Sequence, residues 1–526
     1  MLSLSKHLKF KTSIILRQAQ DDTFVDLLDS PNPKMNGEKM IDLTINEEQL
    51  KKTMRRVKER NIIIPTFRQQ IHPEKISEKI TSKLRNVGLW EVNPLNLFRI
   101  SWKNEPTEKG GMFGGVNYME VPSALTGVKA RIFALVGKWF PTGAHKVGAT
   151  FGCLVPRLVT GQFDPTSQKA VWPSTGNYCR GGAYDSALLA CESIAILPEE
   201  MSRERFEWLE KVAGEVIATP GSESNVKEIY DKCWELRKTR DDIVIFNQFD
   251  EFGNYLWHYH VTGRAIEEVL QDTLQEADRY SGVVLSTGSA GTLGCGDYLK
   301  QQFPQSKIAA AEALQCPTLL LNGYGAHRIE GIGDKHVPWI HNVRNTDMVV
   351  AVDDEFCMNL IRLFNEPPGQ EYLTEMGLTN SDIENLPLIG ISGIANLIAS
   401  IKFAKYYELT ERDIVFTVFT DSMGLYQSRL RELQETYGNY TRDAAIRDYH
   451  QFLMSVSTNY MMELSHYDRK RIHHLKYFTW IEQQGREIDE LNAQWYDYPD
   501  YWERIQNQVD EIDKRIEEFN DKVGLL

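Results

Sequence analysis

No stretch of this 526-residue chain reaches the roughly 18 consecutive apolar residues that a membrane-crossing helix needs. Cysteine is sparse and unordered. There are seven, at 153, 179, 191, 233, 295, 316 and 357, an odd number with no Cys-x-x-Cys pair. That spacing excludes a disulfide scaffold and a zinc knuckle, and it fits a reducing cytoplasm. Basic excess is missing as well. The formal net charge is -14 and no basic stripe is visible, which argues against a nucleic-acid partner. No segment repeats at a fixed period. His473 and His474 are adjacent but have no other ligand spacing around them, so they read as helix surface residues and no metal site is expected.

What is present is a hydrophobic content of 42%, enough for a large core and more than one domain. Residues 1–40 stand apart. Lys6, Lys9, Lys11 and Arg17 make the start basic, and Asp21, Asp22, Asp26 and Asp29 follow. The apolar patch at 14–16 is too small for a secretory core, and only the first half resembles a transit peptide. The expectation is a disordered tail, or an extension upstream of the true start, with Met35 and Met40 as alternative starts. From about 129 onward short apolar runs alternate with Gly-rich turns and amphipathic stretches. Strands are expected at 130–136, 170–172, 193–197, 243–246, 282–286, 308–311, 348–352 and 414–419, with helices between them. Alternation of that kind means an α/β fold, a doubly wound and mostly parallel sheet.

After about 430 the chain turns helical and polar. Trp502, Ile505, Val509, Ile512, Ile516, Phe519 and Val523 recur at the spacing of a heptad seam. Such a seam serves either an amphipathic helix packed on its own chain or a dimerising helix. Either way it reads as lying outside the catalytic core.

In open α/β sheets ligands bind beyond the carboxyl ends of strands, and four such ends carry unusual residues. After 130–136 comes Phe140-Pro141-Thr142-Gly143-Ala144-His145-Lys146, with a helix expected over 147–155. An amine at a helix N-terminus meets the positive end of the dipole, which lowers its pKa and makes it a better nucleophile and base. After 170–172 comes Ser174-Thr175-Gly176-Asn177, whose hydroxyls, amide and exposed backbone N–H groups suit a carboxylate. At the end of 282–286 the run Ser286-Thr287-Gly288-Ser289-Ala290-Gly291-Thr292-Leu293-Gly294 leads into a helix, an arrangement that presents N–H groups to a phosphate. Its GxxGxxG spacing, with Glu312 following after about 20 residues, also fits a dinucleotide fold, so NAD competes on this segment alone. After 414–419 come Asp421 and Ser422, of which one faces a ligand if the segment stays extended.

Taken together these segments resemble the fold-type II pyridoxal-phosphate (PLP) enzymes, the group of cysteine synthase, threonine dehydratase and the tryptophan synthase beta subunit. The resemblance covers roughly residues 115–430 and is closest in motif order to cysteine synthase. Gly143-Ala144-His145-Lys146 resembles the family's Schiff-base segment. Asn247-Gln248-Phe249, His258 to Gly263, His327 to Gly333, Gly390-Ile391-Ser392-Gly393 and Asp421-Ser422 with Tyr426 resemble further cysteine synthase stretches. The resemblance implies a tryptophan synthase beta-like fold of two subdomains. The catalytic domain would span 45–430, with a small subdomain at about 145–260 inserted in the large one, and 431–526 would be a helical C-terminal extension.

It implies PLP as cofactor, bound by Lys146 as a Schiff base and by His145, Asn177, Thr287, Gly288, Ser289, Ala290, Gly291, Thr292 and Ser422, with Ser422 at the pyridine nitrogen. Ser174, Thr175, Gly176, Asn177 and Arg180 would bind the substrate. The reaction implied is β-elimination or β-replacement on an amino acid by way of an aminoacrylate, with Lys146 as the catalytic base, in a cytoplasmic homodimer. Serine or threonine ammonia-lyase is the near alternative, and an NAD-dependent dehydrogenase or a non-catalytic PLP-binding protein the distant ones. Cys179 and Arg180 stand where relatives have small or apolar residues, and Met423-Gly424-Leu425 replaces Gly-Glu-Arg. Arg180 either pairs with an anionic substrate group or faces solvent.

Overall fold

A strand covered on both faces needs a near-continuous apolar run. Asp413–Phe419 is apolar but for Asp413 and Thr417, and every residue of it is buried. The computed structural model describes residues 41–105, 111–221 and 225–525; the tail expected over 1–40, with its alternative starts, lies outside them. All eight expected strands form. In chain order the strands are β1 (Tyr118–Val121), β2 (Arg131–Val136), β3 (Lys169–Pro173), β4 (Glu192–Pro198), β5 (Glu215–Thr219), β6 (Ile243–Ile245), β7 (Arg279–Ser286), β8 (Lys307–Ala313), β9 (Met348–Val352), β10 (Asp413–Phe419) and β11 (Met461–Glu463).

They make two sheets. The larger runs β1-β2-β10-β7-β8-β9-β11, the smaller β5-β4-β3-β6. Every pairing is parallel except at the two rims of the larger sheet, where β1 on β2 and β11 on β9 are antiparallel. The strands absent from the sequence reading are β1, β5 and β11. Each is an edge strand, short and partly exposed, so its apolar signal is weak.

Helices cover both sheets. Lys146–Thr160 is buried along nearly its whole length. It crosses the helix Phe252–Trp257 in backbone contact: a Cβ on Gly152 would stand 2.4 Å from the carbonyl oxygen of Gly253. Only glycine permits that approach. Among the described residues no single helix is long and apolar enough to cross a membrane.

The C-terminal region, helical as expected but for one strand, packs into the main hydrophobic core. Its strand β11 completes the larger sheet. The heptad seam is split between the helices Asp500–Gln506 and Gln508–Val523. Trp502, Ile505, Ile512, Ile516, Phe519 and Val523 are buried within this chain and belong to the main core. The seam therefore packs on its own domain. Asp513 accepts from the backbone N–H of Phe67 (2.7 Å) and Arg68 (3.1 Å), and Asn520 bonds both N–H and C=O of Ile64. The reading of His473 is corrected: it is buried, bonds the carbonyl of Leu491 at 3.0 Å, and lies over Trp495. His474 is half-buried.

Lys476 ends the helix His466–Lys476 with its ammonium fully buried. It donates to the carbonyls of Trp339 (2.9 Å) and His341 (2.7 Å) and to Oε1 of Gln494 (2.7 Å). Trp480 Nε1 donates to the carbonyl of Val337 at 2.8 Å. The C-terminal region thus grips the segment 337–341. Lys476→Met removes three bonds from buried acceptors, each costly to leave unmade. A loss of about 3 kcal/mol is expected, read as a lower urea midpoint; an unchanged midpoint would contradict the grip.

Candidate active site

The carboxyl ends of β2, β3, β7 and β10 carry the four sequence segments, and the fold brings them around one cavity. Of the residues singled out from the sequence, His145, Lys146, Ser174, Thr175, Asn177, Gly288, Ser289, Ala290 and Thr292 line it. Gly176, Arg180, Thr287, Gly291 and Ser422 do not.

Lys146 opens its helix, as the motif implies, and Nζ donates to Ser289 Oγ at 3.1 Å. Burial lowers its pKa to about 8, against the opposing pull of Asp334. A larger neutral fraction at neutral pH makes it a better nucleophile and base. His145 is fully buried between Trp102 and His258, with Nε2 3.2 Å from Thr420 Oγ1. Burial pushes its pKa well down, so it stays neutral.

Ser174 accepts from the backbone N–H of Gly176 (3.2 Å) and from Gln248 Nε2 (3.3 Å), which fixes the turn. Gly176 sits at φ +155, and a Cβ there would strike the Arg205 guanidinium at 2.6 Å. Its part is to let the chain turn, not to line the cavity. Asn177 Nδ2 donates to Asp421 Oδ2 at 2.6 Å, which leaves Oδ1 buried with no partner among the described residues.

In the Gly-rich run Thr287 points back into the sheet, both its N–H (2.7 Å) and its hydroxyl (3.2 Å) donating to the carbonyl of Ala311. Ser289 Oγ meets Lys146 and Asn254 Nδ2 (3.0 Å). Ala290 turns at φ +61, and the helix Leu293–Gln302 begins directly after Thr292.

Three expectations are revised here. On the β10 side the lining reaches Val418 and Thr420 and stops short of Ser422. There the chain turns away into the short helix Met423–Leu425, and Asp421 bonds Asn177 and Tyr426 (2.6 Å) instead. Glu312 is not a ribose ligand. Its carboxylate accepts the N–H groups of Leu319 and Leu320 at 2.9 Å each, capping the helix Thr318–Leu321. That removes the residue on which the dinucleotide reading rested. Arg180 does not face solvent. It is buried between Trp208 and Trp90, 4.9 and 5.8 Å from the ring centres, and its Nε and Nη1 have no hydrogen-bond partner among the described residues. Burial lowers its pKa to about 10.

The sequence reading missed three lining residues that carry chemistry, Asn396, Thr420 and Asp334; Ser286 also lines the cavity and heads the Gly-rich run without having been assigned a part. Gln248 and Ser392 also line the cavity; they lay within the quoted motifs without being assigned a part. Asp334 follows the Gly331-Ile332-Gly333 stretch directly, and only its burial, to 8% exposure, marks it.

Residues 121–369 match the model of the family described as pyridoxal-phosphate dependent enzyme. A curated relative, cystathionine beta-synthase of Saccharomyces cerevisiae, is 27% identical over 319 residues, 59% of this chain and 59% of that protein. Cysteine synthase of Staphylococcus aureus is 26% identical over 318 residues, 60% of this chain and 94% of its own length. Among solved structures, O-acetyl serine sulfhydrylase isoform 3 of Entamoeba histolytica has a TM-score of 0.53 at 20% identity, over 65% of this chain and 94% of that chain. A hydrogen sulfide-producing enzyme of Fusobacterium nucleatum has 0.51 at 21%, over 60% and 97%. These structural likenesses are likenesses of fold. Residues 121–369 thus carry a domain that matches the pyridoxal-phosphate dependent enzyme family, on a fold shared with these solved structures.

The cavity fits that cofactor. An amine of lowered pKa suits its aldehyde, the uncommitted Asn177 Oδ1 suits a hydroxyl on its ring, and the run into the helix Leu293–Gln302 suits its phosphate.

Proposed function

We propose that this enzyme carries out β-replacement or β-elimination on a small amino acid, cysteine synthase-like, with Lys146 as the cofactor-binding lysine and as the base at the α carbon. The observation that carries the reading is Lys146 in one enclosed cavity with Ser174, Thr175 and Asn177. A lysine of lowered pKa stands there beside a turn built for a carboxylate. In this reading Ser174, Thr175 and Asn177 hold the substrate carboxylate and Gly176 permits their turn. Gly288 to Thr292 hold the cofactor's phosphate, with Thr287 and Gly291 shaping the loop from behind. The bound cofactor supplies an electron sink for charge developing at the α carbon. Lys146 Nζ takes the α proton, and Ser289 Oγ, 3.1 Å away, keeps the amine aimed into the cavity. Proton transfer by a positioned base contributes about 10²–10⁴-fold.

The catalytic unit is assigned to 45–430, the small subdomain to about 145–260, around the sheet β3 to β6, and the remainder to 431–526. A homodimer is proposed on the resemblance. A cytoplasmic setting is proposed on the seven cysteines, which are all buried and unpaired.

The test is proton exchange at the α carbon. The purified PLP-loaded protein in D₂O is expected to exchange the α proton of O-acetyl-L-serine or L-serine and to release the β substituent. Bound cofactor without exchange at any amino acid would overturn the reading in favour of a binding protein.

A further inference from the structure

Lys146 accounts for one proton, the one on the α carbon. Breaking a bond to a poor leaving group at the β carbon needs another, and the cavity holds a second group able to supply it. Asp334 lies on the same wall lining as Lys146. No described residue hydrogen-bonds its carboxylate, whereas its backbone is held on every side. Gly333 N–H donates to Thr287 O at 2.8 Å, His327 bonds Gly333 O at 2.9 Å, and Thr318 Oγ1 donates to Asp334 O at 2.8 Å. Beyond it Trp480 and Lys476 grip the carbonyls of Val337 and Trp339. The carboxylate reaches the floor of the Gly-rich loop, Oδ2 standing 3.7 Å from where a Cβ on Gly288 would be. A buried carboxyl with a fixed backbone and free oxygens is poised for a ligand, not for the fold.

We propose that Asp334 is the second proton-handling residue of this site: it protonates the departing β substituent and accepts the proton of the incoming nucleophile. The inference rests on the β-replacement reading above. The protons balance. The Cβ–X bond breaks with its electron pair on X, and the Asp334 carboxyl proton goes to X, leaving HX and a carboxylate. As a nucleophile NuH bonds Cβ, its proton passes to Asp334 and Lys146 returns its own to Cα. Net, X is exchanged for Nu and HX for NuH. Burial raises the Asp334 pKa to about 7, with Lys146 pulling the other way. The other groups felt across this wall are Tyr230 and Cys316. His336 and His327 flank it, His336 against the Tyr230 hydroxyl and His327 on Gly333. Burial lowers the pKa of both histidines, to about 3 for His336.

An acid at this place matters most when X is hydroxide and least when X is acetate, which leaves unaided. It therefore assigns the site to β-hydroxy amino acids with a protic nucleophile. The test compares the PLP-loaded protein with Asp334→Asn, on L-serine and on O-acetyl-L-serine, each with α-proton exchange in D₂O. Release of the β substituent without added nucleophile, the half in which Asp334 acts as acid, is expected to fall by about 10²–10⁴-fold for serine and by much less for O-acetylserine, with α exchange and the cofactor's absorbance retained. The unsubstituted protein loses serine turnover as pH rises through about 7, and the variant lacks that limb. Replacing an unpartnered buried carboxyl with its neutral isostere does not disturb folding, and Asp334→Glu should restore part of the serine activity. Equal losses on both substrates, or no loss on serine, would sink the role of Asp334 while leaving Lys146 in place. Absence of α exchange in the unsubstituted protein would instead overturn the β-replacement reading, and this inference with it.

Discussion

Lys146→Ala is expected to leave a folded protein whose turnover falls by about 10⁴-fold or more, since both the cofactor's covalent anchor and the α-carbon base are lost. Fold is retained because, among the described residues, the amine's hydrogen bond is to Ser289 Oγ, which keeps Asn254 as a second partner. Removing a buried amine of lowered pKa also removes the cost of keeping it dry. The check is a steady-state assay together with borohydride treatment and peptide mapping. Cofactor fixed at residue 146 in the unsubstituted protein, and none there in the variant, is the expected pair of results. Full activity in the variant would end the assignment of Lys146.

Arg205→Met is expected to destabilise the fold by about 3–5 kcal/mol, the cost of breaking one partner out of a buried ion pair. Arg205 lies on the helix Arg203–Val212 beside the smaller sheet, fully buried. Its guanidinium pairs with Glu330, donates to Tyr426 OH at 2.9 Å and to Thr175 O at 3.3 Å. Glu330 and Tyr426 belong to loops of the larger sheet, so this one side chain ties the two halves together around the cavity. Without it Glu330, 2% exposed, keeps only Arg429 (2.6 Å). Asp421 also loses the positive charge that most offsets its burial. The bond to Thr175 O links the same residue to the carboxylate turn. The variant is therefore expected to raise the KM for the amino acid as well as lower the urea midpoint. A midpoint within about 0.5 kcal/mol of the unsubstituted protein, the ordinary range for surface changes, would show that the two halves do not depend on this tie.

These two predictions differ in what the sequence says about them. Lys146 is legible in the company of the other motifs, because Pro-Thr-Gly-Ala-His-Lys at a strand end, followed in order by the Ser-Thr-Gly-Asn turn and the Gly-rich run, resembles a Schiff-base segment. The interior strands are legible too. β7, β8, β9 and β10 are parallel and covered on both faces, so they must be written as apolar runs. Arg205 carries no such sign. It is one of many charged residues on an amphipathic helix, and its partners Glu330 and Tyr426 lie 125 and 221 residues away.

The same distinction covers the rest of the site. The sequence by itself determined the α/β class, eight of the strands, the lysine, the carboxylate turn and the Gly-rich run, because each is a local pattern of φ/ψ preference and apolar period. Only the tertiary structure decided that Glu312 caps a helix, that Thr420 instead of Ser422 meets the cavity, and that the C-terminal seam covers its own domain. It alone leaves the Asp334 carboxylate and the Arg180 Nε and Nη1 without a hydrogen-bond partner among the described residues. A seam records that one face is apolar and not which surface will cover it. Likewise, a carboxylate has the same letters in water and in a closed cavity. What it does depends on the dielectric and the partners that distant parts of the chain bring to it.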